Sequence, residues 1–455
     1  MSKNNQKPDL GTGSVPKLMA KMAIPTVVAQ VVNLLYNIVD RIYIGQGVGA
    51  LALTGVGLCM PLMMFMTAFA MLAGTGGAPL AAIAMGQNDH ERANKILANC
   101  FTMLLICAAG ITVFYQLAAQ PLLMMFGASE QTLPYAMEYI GIISFGAVFS
   151  LLTLGLNNYL TTQGFSTFAM LTTVLGAVTN IILDPIFIFG LNLGVRGAAL
   201  ATVMSQAVSA TFVLWFLTKG KKSILRIKLP NMRLEGKVIG PCLALGISGF
   251  VMVATESLLS ISFNSSLQRF GGDLAVGSMT IITSCSQLAS MPASGIAQGC
   301  QPIVAFNFGA GKHDRVKKCF YLQLAVAAGY TTLFWAASML MPQVFVQIFN
   351  NDAALVEHTA WAMRIYMAGI FSLGVQLTCQ QSFIALGQAK ISLFMACLRK
   401  LILLIPLIFI LPMFFENKVM AVFLAEPISD IIAAAVTAGT FFFRFDKILK
   451  AGPQR

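Results

Sequence analysis

Five carboxylate residues stand inside stretches that are otherwise apolar: Asp40 in NLLYNIVDRIYIG, Asp184 in TNIILDPIFIFG, Glu256 in VATESLLS, and Glu426 and Asp430 in LAEPISDIIA. An ionised carboxylate away from water is costly, so such groups pair with bases, bind ions or titrate. Asn180 and Asp184 are four residues apart and share a helical face. Asp40, Asn180, Asp184 and Thr202, the last in GAALATVMSQ, all fall roughly 8–15 Å from the same end of their apolar segments at 1.5 Å per residue. Carboxylate, amide and hydroxyl oxygens are the ligands a hard cation such as Na⁺ selects, and a buried pair of carboxylates can also hold a proton. These four residues form the candidate cation site. Local readings stay open for each: Asp40 paired with Arg41 at the membrane surface, Asp184 ending a helix before Pro185, and Asn180 and Thr202 making interhelical hydrogen bonds. The nine cysteines are scattered without a CxxC pair and the three histidines form no HExxH, so the sequence suggests no His/Cys metal site and no resident cofactor.

The elements that must position these groups are helices in lipid. The chain has 455 residues, 57% of them hydrophobic and 10% charged, whereas a soluble domain carries about 25% charged residues. Lipid must cover most of such a surface, and a span needs roughly 20 apolar residues. Apolar blocks bounded by charge or turn residues predict helices over 17–45, 51–86, 95–117, 134–161, 167–190, 195–218, 238–268, 274–308, 317–340, 357–385, 389–413 and 418–443. The first block is too long for a signal-peptide core and reads as a retained span. The fold class expected is an all-α integral membrane protein with twelve transmembrane helices.

Twelve spans put both termini and every even-numbered loop on one side. Of the 29 lysines and arginines, 22 fall on that side, five fall on the other, and Arg399 and Lys400 lie inside helix eleven. The positive-inside rule then places both termini in the cytoplasm of a multi-pass protein of the cell membrane. The net charge of +12 is topological and does not point to nucleic acid. The expected divisions are an N-terminal tail 1–16, a six-helix repeat 17–218, a basic linker 219–237, a second repeat 238–443 and a tail 444–455.

A shift of 223 residues lays the chain on itself. AGTGGAPLAAIAMGQNDHERANK (73–95) falls on IAQGCQPIVAFNFGAGKHDRVKK (296–318) with seven of 23 positions identical, and the same shift pairs Gly49 with Gly272 and Gly164 with Gly387. A single ungapped offset marks a duplication. Six helices per repeat make the two halves parallel, with a substrate path between them. The repeat also supplies a control. The partners of Asp40, Asn180, Asp184 and Thr202 are Phe263, Leu403, Leu407 and Ala425, so the second half lacks every member of the set, which favours one cooperative site. Glu256 falls on Asn33; the two are the candidates for a substrate contact or a second ion site. Arg399 and Lys400 are read as snorkelling to the cytoplasm, or one of them as pairing with an acid. His90 and His313 are read as structural.

MAIPTVVAQVVNLLYNIVDRIYIG, the GQNDHERANK loop with its repeat GAGKHDRVKK, TNIILDPIFIFGLNLGVRGAALATVMSQ, LRKLILLIPL and AEPISD together resemble the multidrug and toxic compound extrusion (MATE) family over nearly the whole chain, closest in wording to its MepA-like bacterial branch. The resemblance implies two six-helix lobes around a central cavity and export of drugs or toxic organic cations in exchange for H⁺ or Na⁺. It assigns Asp40, Asn180, Asp184 and Thr202 to the amino-lobe cation site and makes Pro25 the point at which helix one bends. The protein is expected to be a monomer in the bilayer and not an enzyme. The other readings weighed are a flippase for lipid-linked sugars, which would carry extra spans and a strongly basic cavity, and an intramembrane enzyme, for which no nucleophile–base pair is present.

Overall fold

The computed structural model describes residues 10–349 and 352–453, so residues 1–9 and 454–455 of the expected tails lie outside the described residues. Within these bounds the chain is helical from end to end. The spans are α1 (Val15–Gly47), α2 (Leu51–Gly86), α3 (His90–Met125), α4 (the bent pair Leu133–Phe145 and Ala147–Thr162), α5 (Ser166–Gly190) and α6 (Gly194–Lys219). A helical path Gly236–Gly309 follows. At 1.5 Å per residue it is far too long for one bilayer, and Gly272, at φ 62° and ψ −157°, breaks it into α7 (236–271) and α8 (273–309). The sequence reading expected a loop at 269–273; the chain instead turns on that one glycine, whose backbone angles other residues avoid. The set closes with α9 (His313–Leu340), α10 (Ala353–Ala385), α11 (Ala389–Met413) and α12 (Lys418–Ala451).

Helix starts obey local chemistry. The side chains of Asp89, Asp352 and Asn417 accept from the backbone N–H three residues on, at 2.9 Å in each case, capping α3, α10 and α12. The last helix runs two turns beyond its expected end. Phe445, Ile448 and Leu449 are buried there while Arg444 and Lys447 face outward, so an amphipathic stripe continues the span past the apolar run.

The halves repeat in conformation as well as in sequence. Asn88 and Gly311, Gly49 and Gly272, and Gly164 and Gly387 are pairs 223 apart, and all six have positive φ. The lobes meet with the same symmetry. A Cβ on Gly86 would collide with the Phe306 carbonyl oxygen, and a Cβ on Gly309 with the Ile83 carbonyl oxygen. Ile83 and Phe306 are themselves repeat partners. Without a hydrophobic drive between helices in lipid, such close backbone approach is what holds them. The contact closes the face that carries the termini.

Two leader segments cross that face. Residues 10–12 precede α1 yet are held by the second lobe. Leu10 O accepts from Asn307 Nδ2 at 2.9 Å and Arg315 Nη2 at 3.3 Å, and Gly11 O accepts from Lys312 Nζ at 2.8 Å. The linker precedes α7 yet is held by the first lobe. Gln163 Oε1 accepts from the backbone N–H of Ile224 and Leu225 at 2.6 and 2.9 Å. Asn94 and Asn99 accept from the Arg226 and Glu235 N–H groups, both at 2.8 Å.

Candidate functional site

Between the lobes lies a cavity of about 410 Å³, walled by Gln30, Asn33 and Tyr36 of α1, Asn157 and Asn158 of α4, Gly176 and Ala177 of α5, Ser205 and Gln206 of α6, and Val253, Gln298 and Gln301 across from them. Gln30 Nε2 donates to Gln298 Oε1 at 3.2 Å from lobe to lobe. Its walls are polar but carry no charged side chain among the described residues.

The four sequence candidates gather one turn beyond this cavity, on the side away from the termini. Asp40 follows Tyr36 by one turn on α1, Asn180 follows Ala177 on α5, and Thr202 precedes Ser205 on the oppositely running α6. Asp40 is 9% exposed, Thr202 4%, and Asn180 and Asp184 are fully buried. The carboxyl groups of Asp40 and Asp184 are adjacent, and the Asn180 amide donates to Asp184 Oδ1 at 3.3 Å.

The local readings of these residues give way. Arg41 points outward while Asp40 is buried. The helix does not stop at Asp184 but runs on through Pro185 as a π turn, Ile186–Gly190. Each of the four keeps one buried oxygen with no hydrogen-bond partner among the described residues: Asp40 Oδ1, Asn180 Oδ1, Asp184 Oδ2 and Thr202 Oγ1. A buried acceptor without a donor costs free energy. Four of them in one place fit a hard cation or added protons. No group of three or more His, Cys, Asp or Glu occurs among the described residues, so a metal held here needs the amide and hydroxyl oxygens too. Tyr36 and Tyr139, which the sequence reading missed, lie against Asp40 and Thr202. Tyr36, one turn before Asp40, was open to the same spacing argument.

The second pair of candidates parts company. Asn33 faces the central cavity. Glu256 pairs with Lys400. Neither Arg399 nor Lys400 snorkels. Arg399 Nε and Nη2 donate to Asp430 Oδ1 at 2.7 Å and Glu426 Oε1 at 3.2 Å, and Lys400 Nζ also donates to Met252 O at 2.6 Å. Both bases sit in a π segment of α11, Leu398–Leu404, and successive residues there reach different neighbours, α12 and α7. Three buried or half-buried acids outweigh the pull of the distant surface. Pro25 lies inside the continuous α1, where it leaves the carbonyl four residues back without its helical donor.

Two parallel six-helix lobes around a polar cavity, with ionisable groups inside the spans, define an integral membrane transporter and not an enzyme. The MatE family model matches residues 25–186 and 249–410, once in each half. The chain belongs to the MatE family, the multidrug and toxic compound extrusion transporters. It is 23% identical to the multidrug export protein MepA of Staphylococcus haemolyticus over 92% of both chains. It is similar to the solved structure of the MATE multidrug transporter DinF-BH in complex with a drug, at 34% identity and a TM-score of 0.90, covering 98% of this chain and 99% of that one. An outward-facing MATE transporter of the MOP superfamily gives 25% identity and a TM-score of 0.90 over 99% and 100% of the two chains.

Proposed function

We propose that this transporter is a secondary active antiporter that expels organic cations from the cell in exchange for H⁺ or Na⁺ bound by Asp40, Asn180, Asp184 and Thr202. The observation that carries the reading is the set of four orphaned buried oxygens on three helices, placed one turn from the cavity. The cavity supplies the other half of the exchange. Asn157 Oδ1 and Gln206 Oε1 are unpartnered acceptors in its wall, suited to N–H donors of a cationic ligand. Its lack of basic side chains favours drugs over an anionic lipid-linked sugar.

The face closed by Gly86 and Gly309 is read as cytoplasmic, so the structure corresponds to an outward-facing monomer. Uptake of the coupling ion at Asp40 and Asp184 neutralises charge that would otherwise be buried when the outer cleft closes. It also alters the hydrogen bonds that hold the outer half of α1, which pivots at Pro25 and presses substrate out. An ion moves such an equilibrium only through differential affinity for the two states, and the coupling is reciprocal.

The test is substrate affinity of the purified protein against pH, with and without Na⁺. Protons and substrate compete, so affinity is expected to fall as pH drops through the titration of the carboxyl pair, or as Na⁺ rises, and Asp40→Asn flattens that dependence. Whichever ion shifts the affinity is the coupling ion. Indifference to both overturns the direct exchange.

A further inference from the structure

Outside the amino-lobe site the second lobe holds a charged cluster in the membrane interior that the exchange reaction does not use. Lys400 and Glu256 are a one-to-one ion pair. Arg399, by contrast, serves two carboxylates: Asp430 at 2.7 Å and Glu426 at 3.2 Å. Fully ionised, the cluster carries one negative charge in excess. The residues that face it from every neighbouring helix are these same groups with Tyr366 of α10, so no further base offsets that charge.

The excess falls on Glu426. The residue is 8% exposed, its contact with the guanidinium is the longer of the two, and its Oε2 is buried without a hydrogen-bond partner among the described residues. An ionised oxygen in that position is an uncompensated buried charge, the most costly arrangement for such a group. Added as a proton to Oε2, a single positive charge removes the excess and leaves only a neutral hydroxyl to accommodate. A bulkier cation would have one free oxygen to hold it, because the other carboxylate oxygens facing the cluster are engaged by Arg399 and Lys400.

We propose that Glu426 is a proton-binding site of the second lobe, separate from Asp40 and Asp184, with Asp430 and Arg399 setting its charge state. The way in is through Glu256. Its side chain is 51% exposed, and it stands one turn from Val253, which lines the cavity. A proton arriving from cavity water therefore meets Glu256 first, then the cluster behind it. The site does not depend on the proposed exchange at the amino-lobe.

The experiment is infrared difference spectroscopy of the reconstituted full-length protein across a pH series, in an Asp40→Asn/Asp184→Asn background. That background removes the amino-lobe carboxyls from the signal. A carboxylic-acid carbonyl band is expected at neutral pH and is expected to vanish when Glu426→Gln is added. Asp430→Asn should also abolish it although Glu426 remains, because Arg399 then faces a single carboxylate and holds it ionised. This second variant carries the test where Glu426→Gln fails to fold. Glu256→Gln should leave the band in place. Absence of any such band in the double-amide background, or a band that survives Glu426→Gln, overturns the assignment.

Discussion

Replacing Asp40 or Asp184 by its amide keeps the shape of the side chain and removes the charge. If both belong to one coupling site, each single variant is expected to lower gradient-driven export in proteoliposomes roughly 5–150-fold, the span of typical coupling energies, while expression persists. The double variant should be little worse than either, since residues acting as a unit are not additive. Independent, multiplicative losses would mean two separate roles. This site was legible in the sequence because burial and spacing are both local properties: an acid in an apolar run needs a partner, and Asn180 lies four residues before Asp184. The pairing of Arg399 with acids 27 and 31 residues away was not legible. The sequence shows two bases and three acids inside the spans, but which helix each side chain faces depends on a π turn that no composition signal announces.

At the scale of the element, the spans could be drawn from apolar runs to within a few residues, because lipid leaves the chain no other way to satisfy its backbone. Their interruptions could not. The π segments in α2, α5 and α11 arise from packing between helices, which a single segment does not record. Gly86 gives a direct test of the closed face. Gly86→Ala sets a methyl against the Phe306 carbonyl and should cost that closure about 1–3 kcal/mol, as overpacking does. Gly110→Ala, where nothing lies within 4 Å, is the matched control and should be neutral or slightly stabilising. Spin-label distances across the closed face read the outcome: a broadened, longer distribution for Gly86→Ala alone. Equal distributions in both variants would show that this contact does not hold the face shut.

For the whole molecule, the asymmetry of basic residues makes a claim about sidedness. Lys221, exposed in the linker, becomes the probe. With the nine native cysteines replaced, a Lys221→Cys protein in intact cells should resist an impermeant thiol reagent and react once the inner face is opened. Reaction in intact cells would invert the topology and, with it, the direction of transport. The duplication itself was readable in full, since one offset runs the length of the chain. What the sequence did not disclose is how the halves hold each other. Residues 10–12 lead into one lobe and are gripped by the other, and the linker does the converse. Two separate copies of such a six-helix unit, each gripping its neighbour's leader, would be a domain-swapped dimer. The single chain keeps that mutual embrace inside one molecule, so its two halves cannot part on the termini-bearing face until each has let go of the other's leader.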